Sequence, residues 1–323
     1  METTRRAALI AALAAPAFIG RAMAQGQPPS PAPTTLPQAP GWYRFKLGGF
    51  TVTTVFDGFN RRNTEGLVRN APLAEVQATL AESFLPTATY DGPYTVTFVD
   101  TGKLLIAFDT GTGAIGELSP TSGAMRRNMT AAGLDPARVG LVVVTHCHRD
   151  HINGLATPGG EAFFPHAEIA VGEAEWAWWT DPGNETRSPE GQRVNFANVA
   201  RRFAPYQGRI RRFGDGAELA PGVRAIAAPG HTPGHMIFHL ADGADQLMVL
   251  ADTTHRPKVF ARRPEMHSLF EFDAPAAEAT RKRVLDQVAT DRMKAVGFHF
   301  PFPATGHFLR EPQGYRFLPV EWS

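Results

Sequence analysis

The chain has 323 residues, 43% of them hydrophobic, which supports one large core or two small ones. Lys and Arg number 32 against 31 Asp and Glu, a net charge of +1, and no basic run is long enough to follow a phosphate backbone, which argues against nucleic acid as a partner. The only cysteine, Cys147, excludes an intramolecular disulfide.

Residues 1–24 read as an export signal: Arg5-Arg6, an apolar run over 7–20, Arg21, then the small-residue pattern Ala22-Met23-Ala24. The paired arginines point to the twin-arginine route and so to a periplasmic or secreted protein, with the ordinary secretory route as the alternative. The apolar run is shorter than the roughly 20 residues that span a bilayer, so no stable membrane anchor is expected. Residues 25–40 form a proline-rich arm, and 41–323 are expected to be one domain.

Alternation of Tyr43, Phe45 and Leu47, then Gly48-Gly49, then Phe50, Val52 and Val55, predicts a hairpin ending at Asp57-Gly58. Asn70-Ala71-Pro72 opens a helix whose apolar face is Leu73, Val76, Leu80 and Phe84. Strands follow over 94–99 and 104–108, then a helix over 122–132 closed by Gly133, then the apolar strand 141–144. Directly behind it stands Thr145-His146-Cys147-His148-Arg149-Asp150-His151.

Three imidazoles and a carboxylate within six residues read as a metal site, and nitrogen and oxygen donors suit Zn²⁺, or Mn²⁺, Fe or Co²⁺. In an extended segment His146 and His148 point the same way and can share one ion, while Asp150 and His151 are offered to a second. Cys147 alternates with them and is expected to point into the core.

Beyond the cluster the pattern predicts a strand over 168–171 and a helix over 173–179 rich in tryptophan. A polar stretch over 180–208 has room for a helix over 189–203, and short strands follow over 209–213, 223–227, 236–240 and 247–251. A helix over 275–290 and a strand over 294–298 complete the reading. Three further candidate ligands each sit just past a strand: His231 in the turn Pro229-Gly230-His231-Thr232-Pro233-Gly234-His235, Asp252 and His299.

With these residues in place the chain resembles the metallo-β-lactamase-fold hydrolases, whose hallmark is His-x-His-x-Asp-His followed by a distant His, Asp and His. The resemblance implies an α+β fold, a four-layer αββα sandwich with two divalent ions at one edge, most simply Zn. It implies one ion held by His146, His148 and His231, the other by Asp150, His151 and His299, with Asp252 bridging; Asp150 and Asp252 are the carboxylates expected at the catalytic centre. The opening Gly41-Trp42-Tyr43-Arg44-Phe45-Lys46-Leu47-Gly48 and the closing His299-Phe300-Pro301-Phe302-Pro303 with Gly306-His307 resemble the methyl parathion hydrolase subgroup, which is similar to quorum-quenching lactonases. That narrower resemblance implies a homodimer.

Water between two divalent ions is acidified towards neutrality while a coordinated oxygen is polarised, so the expected reaction is hydrolysis of a neutral small molecule. An organophosphate triester leads, with a lactone, such as an acyl-homoserine lactone, or an aryl ester as the alternative. A β-lactamase is less expected, because many penicillin-hydrolysing relatives use Cys at the position of His299, and a di-iron redox protein less still, for want of a flavin domain.

Asp57 and Asp109 are candidates either to accept from ligand ring N–H groups or to cap a turn. His235 and His255 are expected to support the ligands or to be structural, since the two ions already have their ligands, and His307 to lie on a surface loop or line the pocket. Trp178, Trp179, Phe196, Phe270, Phe272, Phe302 and His255 are candidates for the substrate pocket. Lactonases of this fold often place a tyrosine at the substrate oxygen; Phe196 occupies the plausible region and Tyr206 follows ten residues on.

Overall fold

The computed structural model describes residues 41–188 and 190–321. The expected export signal (1–24) and proline-rich arm (25–40) lie outside the described residues. Among the described residues no helix is long and apolar enough to cross a membrane.

The predicted hairpin forms from β1 (Trp42–Leu47) and β2 (Phe50–Asn63). β2 does not end at Asp57-Gly58: a register shift between Phe56 and Gly58 breaks the alternation there, and the strand continues against β3 (Thr89–Asp100) until Asn63 pairs with Thr89. Between them runs α1 (Leu73–Ala81), preceded by Pro72 rather than capped by Asn70, whose side-chain amide instead ties down His267 N and Glu265 O. Phe84, expected on the apolar face of α1, lies past its end at φ +57° and is 98% exposed.

β4 (Leu105–Phe108), α2 (Met125–Ala131) and β5 (Val139–Val144) follow. After the short α3 (Arg149–Ile152) come β6 (Glu168–Gly172), α4 (Glu173–Thr180), α5 (Pro182–Arg187) and α6 (Glu190–Phe203). The chain continues through β7 (Ile210–Phe213), β8 (Glu218–Ala220), β9 (Val223–Ala227), β10 (Met236–Asp242), β11 (Asp245–Ala251), α7 (Pro257–Phe260), α8 (Ala274–Thr290) and β12 (Lys294–Gly297). A closing hairpin of β13 (Thr305–Glu311) and β14 (Gly314–Pro319), which the sequence reading missed, adds two strands.

Among the described residues the strands form two seven-stranded sheets, β1 to β7 in chain order and β14-β13-β12-β11-β10-β9-β8. Alternation explains the layering. Leu141 and Val143 of β5 face the core shared with Phe238, Leu247 and Val249 of the second sheet. Val142 and Val144 face the opposite way, onto Met125 and Met129 of α2 and Phe196 and Phe203 of α6. On the second sheet, Val284, Leu285 and Val288 of α8 join the core. The result is the mixed α+β, four-layer αββα arrangement. A smaller cluster, with Leu67, Val76, Leu80, Tyr90 and Phe260, packs α1 and α7 beside the extended β2–β3 hairpin.

Candidate metal centre

The site stands where strands of both sheets end. β5 delivers the histidine cluster, β9 leads to His231, β11 ends immediately before Asp252, and β12 two residues before His299. Ala251 holds φ +45°, and Asp109, at the end of β4, φ +63°, both left-handed for residues with a Cβ, which marks a backbone over-determined by its surroundings. In the His231 turn, a Cβ on Gly230 would lie 2.2 Å from Ala277 N and one on Gly234 2.1 Å from Glu175 N, so glycine alone lets the turn wedge between α8 and α4.

His146 Nε2, His148 Nδ1 and His231 Nε2 are mutually 3.0, 3.0 and 3.2 Å apart. Neutral imidazoles have one N–H each, and that of His146 is committed: the Thr145 hydroxyl donates to Asp109 at 2.9 Å and so must accept from His146 Nδ1, also at 2.9 Å. A lone pair at His146 Nε2 therefore faces the other two rings. A tetrahedral ion with bonds of about 2.0 Å to nitrogen spans ligand-to-ligand edges of about 3.3 Å, close to this triangle.

On the other side, His151 donates from Nδ1 to Asp109 Oδ2 at 2.7 Å, which leaves its buried Nε2 facing Asp252 Oδ1 at 3.3 Å, and neither of these two atoms has a hydrogen-bond partner. His299 donates from Nδ1 to the Pro93 carbonyl at 2.9 Å and points Nε2 at Asp252 Oδ2, 3.1 Å away, and Asp150 Oδ2, 3.3 Å away. A lone-pair nitrogen between carboxylates demands a cation. Burial opposes charge on His151, but Asp252, Asp109 and Asp150 outweigh it and hold the ring well above the usual histidine range. His299 is likewise pushed up to about 10 by Asp252 and Asp150 against its burial. The first triangle behaves oppositely, burial holding His148 down to about 4 and pushing His146 well below its ordinary value, helped by the neighbouring rings. The donor chemistry thus fits divalent ions on both sides of Asp252, whose Oδ2 is also 3.3 Å from His231 Nε2.

All seven predicted ligands are brought together, with His255 as a further donor 3.2 Å from Asp252 Oδ2. His235 lies behind them, accepting from Asp252 N at 3.1 Å and directing Nδ1 to the Ala228 carbonyl. Asp109 orients His151 as anticipated; Asp57 does not reach a ligand, and instead accepts from Thr112 N, Thr112 Oγ1 and Met125 N at the start of α2. Cys147 is fully buried in the outer core.

Sequence reasoning missed Glu175, a fully buried carboxylate on α4. Its Oε1 accepts from Cys147 N (2.8 Å) and Trp179 Nε1 (2.6 Å), its Oε2 from Thr232 Oγ1 (2.7 Å) and Gly234 N (3.0 Å), so it joins the His146–His148 segment to the His231 turn. An acid four residues before a tryptophan within an apolar helix was the available signal.

A cavity of about 250 Å³ opens onto the donors. Of the predicted pocket residues, Phe270 and His255 line it. Trp178, Trp179, Phe196, Phe272 and Phe302 do not. Trp179 and Phe196 pack on each other in the core at 4.8 Å, Phe272 stacks behind His148 with Trp178 edge-on to it, and Phe302 meets Phe56. Tyr206 is buried with its hydroxyl on the Leu155 carbonyl, and His307 is exposed on β13. The walls come instead from the continued β2–β3 hairpin, with Asn60, Arg62, Tyr90 and Tyr94, together with Leu67, Leu118 and Arg256. Tyr94 packs edge-on against His299 at 5.5 Å, and burial, with Asp150 adding to it, raises its phenol, which keeps its proton.

The metallo-beta-lactamase superfamily model matches residues 89–299, which span the histidine cluster and all three distant ligands. Over 175 residues the chain is 26% identical to the uncharacterised protein YobT of Bacillus subtilis (strain 168), covering 53% of this chain and 69% of that protein. The hydrolase AbOPH, in the beta-lactamase superfamily, superposes with a TM-score of 0.83 at 26% identity over 89% of this chain and all of that one. AidC, a dizinc quorum-quenching lactonase, superposes with a TM-score of 0.82 at 23% identity over 88% of this chain and 98% of that one. With the fold, the order of donors along the chain and the family match in agreement, the chain belongs to the metallo-β-lactamase superfamily.

Proposed function

We propose that this protein is a dinuclear metal-dependent hydrolase of an ester bond in a small molecule. The observation that carries it is Asp252: one buried carboxylate within 3.3 Å of both His231 and His151, at the floor of a cavity sized for a small ligand. His146, His148 and His231 would hold one ion, Asp150, His151 and His299 the other, and Asp252 both. Divalent ions, zinc being the simplest choice, supply an acidified water and a Lewis acid there. Around them Asp109 and the Pro93 carbonyl fix the ring tautomers of His151 and His299, and Glu175 keeps the two histidine-bearing turns in register.

An organophosphate triester is the substrate class carried from the sequence. A lactone or other carboxylic ester is the second reading, favoured by Tyr94, an O–H donor beside His299, and by the likeness to AidC. Kinetics of the zinc-loaded protein with diethyl 4-nitrophenyl phosphate, an acyl-homoserine lactone, a 4-nitrophenyl ester and a cephalosporin decide between them. Turnover of the phosphotriester above the lactone supports the first reading, the reverse order the second, and turnover of the cephalosporin alone refutes both. Export through residues 1–24 and a homodimer belong to the same proposal, checked by the N-terminus of the protein recovered from the periplasm and by its mass in solution.

A further inference from the structure

The cavity wall farthest from expectation is its cationic side. Arg62 and Tyr90 are direct partners across β2 and β3, so their side chains share one face. The Arg256 guanidinium lies 4.7 Å from the centre of the Tyr90 ring, and that of Arg62 lies 5.3 Å from the ring of Phe270, so all four residues form one surface of the cavity.

What this surface lacks is an anion. Neither Arg62 nor Arg256 has a carboxylate within 4.0 Å among the described residues; the nearby Asp91 is held by Arg61 at 2.7 Å, and Arg256 reaches only the backbone carbonyl of Asp91. Arg256 Nε is buried without a hydrogen-bond partner, and so is the hydroxyl of Tyr90, a residue 5% exposed. Stacking on aromatic rings uses the faces of the guanidinium groups, so apart from the bond of Arg256 to the Asp91 carbonyl their N–H edges remain available. Arg256 moreover holds φ +20°, a backbone rarely adopted by a residue with a Cβ, so the loop after Asp252 fixes it against the hairpin at a conformational cost. The acids of the cavity, Asp150 and Asp252, are engaged by histidines. Two guanidinium groups and a phenol therefore converge on one wall with no carboxylate to pair them, the chemistry of an oxyanion site.

We propose that the substrate carries, apart from the ester bond that is cleaved, a carboxylate received by Arg62, Arg256 and Tyr90. This rests on the ester-hydrolase reading and narrows its substrate class: an uncharged scissile group over the metal centre and an anionic substituent against the hairpin.

The test compares 4-nitrophenyl hexanoate with mono-4-nitrophenyl adipate, acyl chains of equal length ending in a methyl or a carboxylate, on the zinc-loaded full chain at low ionic strength. A kcat/KM ratio of about tenfold or more for the adipate is expected from charge-assisted hydrogen bonds. Arg62→Met and Arg256→Met should each cut that ratio about fivefold or more, and Arg224→Met, on β9 outside the cavity, should leave it in place. Arg62 is exposed, so its variant remains informative if Arg256→Met fails to fold.

Cleavage of both esters without preference, or a preference that survives the arginine changes, overturns the inference and leaves the hydrolase reading standing. If neither ester is cleaved the esterase reading fails, and calorimetry with 3-phenylpropionate and 3-phenylpropionamide decides the anion site. Tighter binding of the acid that Arg62→Met abolishes supports it, and equal binding of acid and amide overturns it.

Discussion

Glu175→Ala removes the acceptor of four buried donors at once, Cys147 N, Trp179 Nε1, Thr232 Oγ1 and Gly234 N. A buried donor left without a partner costs about 1–3 kcal/mol, so four would cost about 4–12 kcal/mol, of the order of a whole domain's stability. Water entering the space recovers part of this, and a loss of about 3–5 kcal/mol is expected. Glu175→Gln is the controlled perturbation: its oxygen still serves Cys147 and Trp179, the Thr232 hydroxyl can turn to accept from the new amide, and only Gly234 N is orphaned, for about 1–2 kcal/mol. Burial pushes the Glu175 carboxyl up against the pull of its donors, so the neutral amide also escapes a desolvation cost that the carboxylate bears. Urea unfolding in the presence of a chelator separates these effects from metal binding, read as a shift of midpoint at constant slope. Competition with a chromophoric chelator should show zinc affinity falling about 10–100-fold in Glu175→Gln, since both histidine-bearing turns lose a shared anchor. Glu175→Ala within about 1 kcal/mol of wild type, or a loss of stability with zinc affinity untouched, would refute the view that this carboxylate sets the site.

Asp252→Ala should abolish binding of at least one of two zinc equivalents, counted by elemental analysis, together with nearly all hydrolysis; retention of two equivalents contradicts the assignment. Asp109→Asn preserves shape but can present an amide N–H to His151 Nδ1, and zinc affinity should fall about 10–100-fold by the same chelator competition. Burial raises Asp57 from 3.8 to about 6 despite the donors Thr112 and Met125. The folded chain then holds that proton longer than the unfolded one, so stability falls as pH rises from about 4 to about 6, by about 3 kcal/mol for two pH units. In Asp57→Asn this slope disappears, and the wild-type advantage over the variant should shrink by that amount between pH 3.5 and 7; a difference constant with pH in urea titrations refutes it.

The ligand set was legible because its chemistry is dense and local: four donors in six residues admit few readings, Asp252 and His299 close apolar runs, and His231 sits in a turn fixed by glycines and a proline. The apolar runs that placed β5 and β11 worked because both faces of these strands are covered, whereas β1 was placed by alternation, its Arg44 and Lys46 being exposed while Tyr43 and Leu47 are buried. The cavity was not legible. Its wall depends on β2 and β3 continuing past a bulge at Asp57-Gly58, where the period of two is interrupted, so Asn60, Arg62 and Tyr90 read as loop. The tryptophans and phenylalanines chosen for the pocket are large and apolar, and that alone does not separate a core aromatic from a lining one; Trp179 was decided by Glu175, which fixes its indole inward. The closing β13–β14 hairpin was missed because its strands carry His307, Arg310, Glu311 and Arg316 among their apolar residues and so lack a continuous apolar run.

The division of donors between the two sheets has a structural consequence. The histidine cluster belongs to the first sheet, while His231, Asp252 and His299 belong to the second, and the links between them at this edge are specific: Met236 N donates to the Thr145 carbonyl at 3.0 Å, and Glu175 spans Cys147 and Gly234. The core between the sheets is apolar and non-directional, so it fixes their separation better than their register. Register has to come from directional contacts, and at this edge these include the Thr145–Met236 hydrogen bond, the His299–Pro93 hydrogen bond, the buried Glu175 and the donors facing Asp252. A donor set split in this way couples ion binding to sheet alignment: an ion bound only by the aligned pair stabilises that alignment in proportion to its affinity. His151 and His299, whose rings the neighbouring carboxylates hold above the usual histidine range against their burial, would have to give up a proton to bind an ion, so ion binding at this edge is tied to pH as well as to alignment.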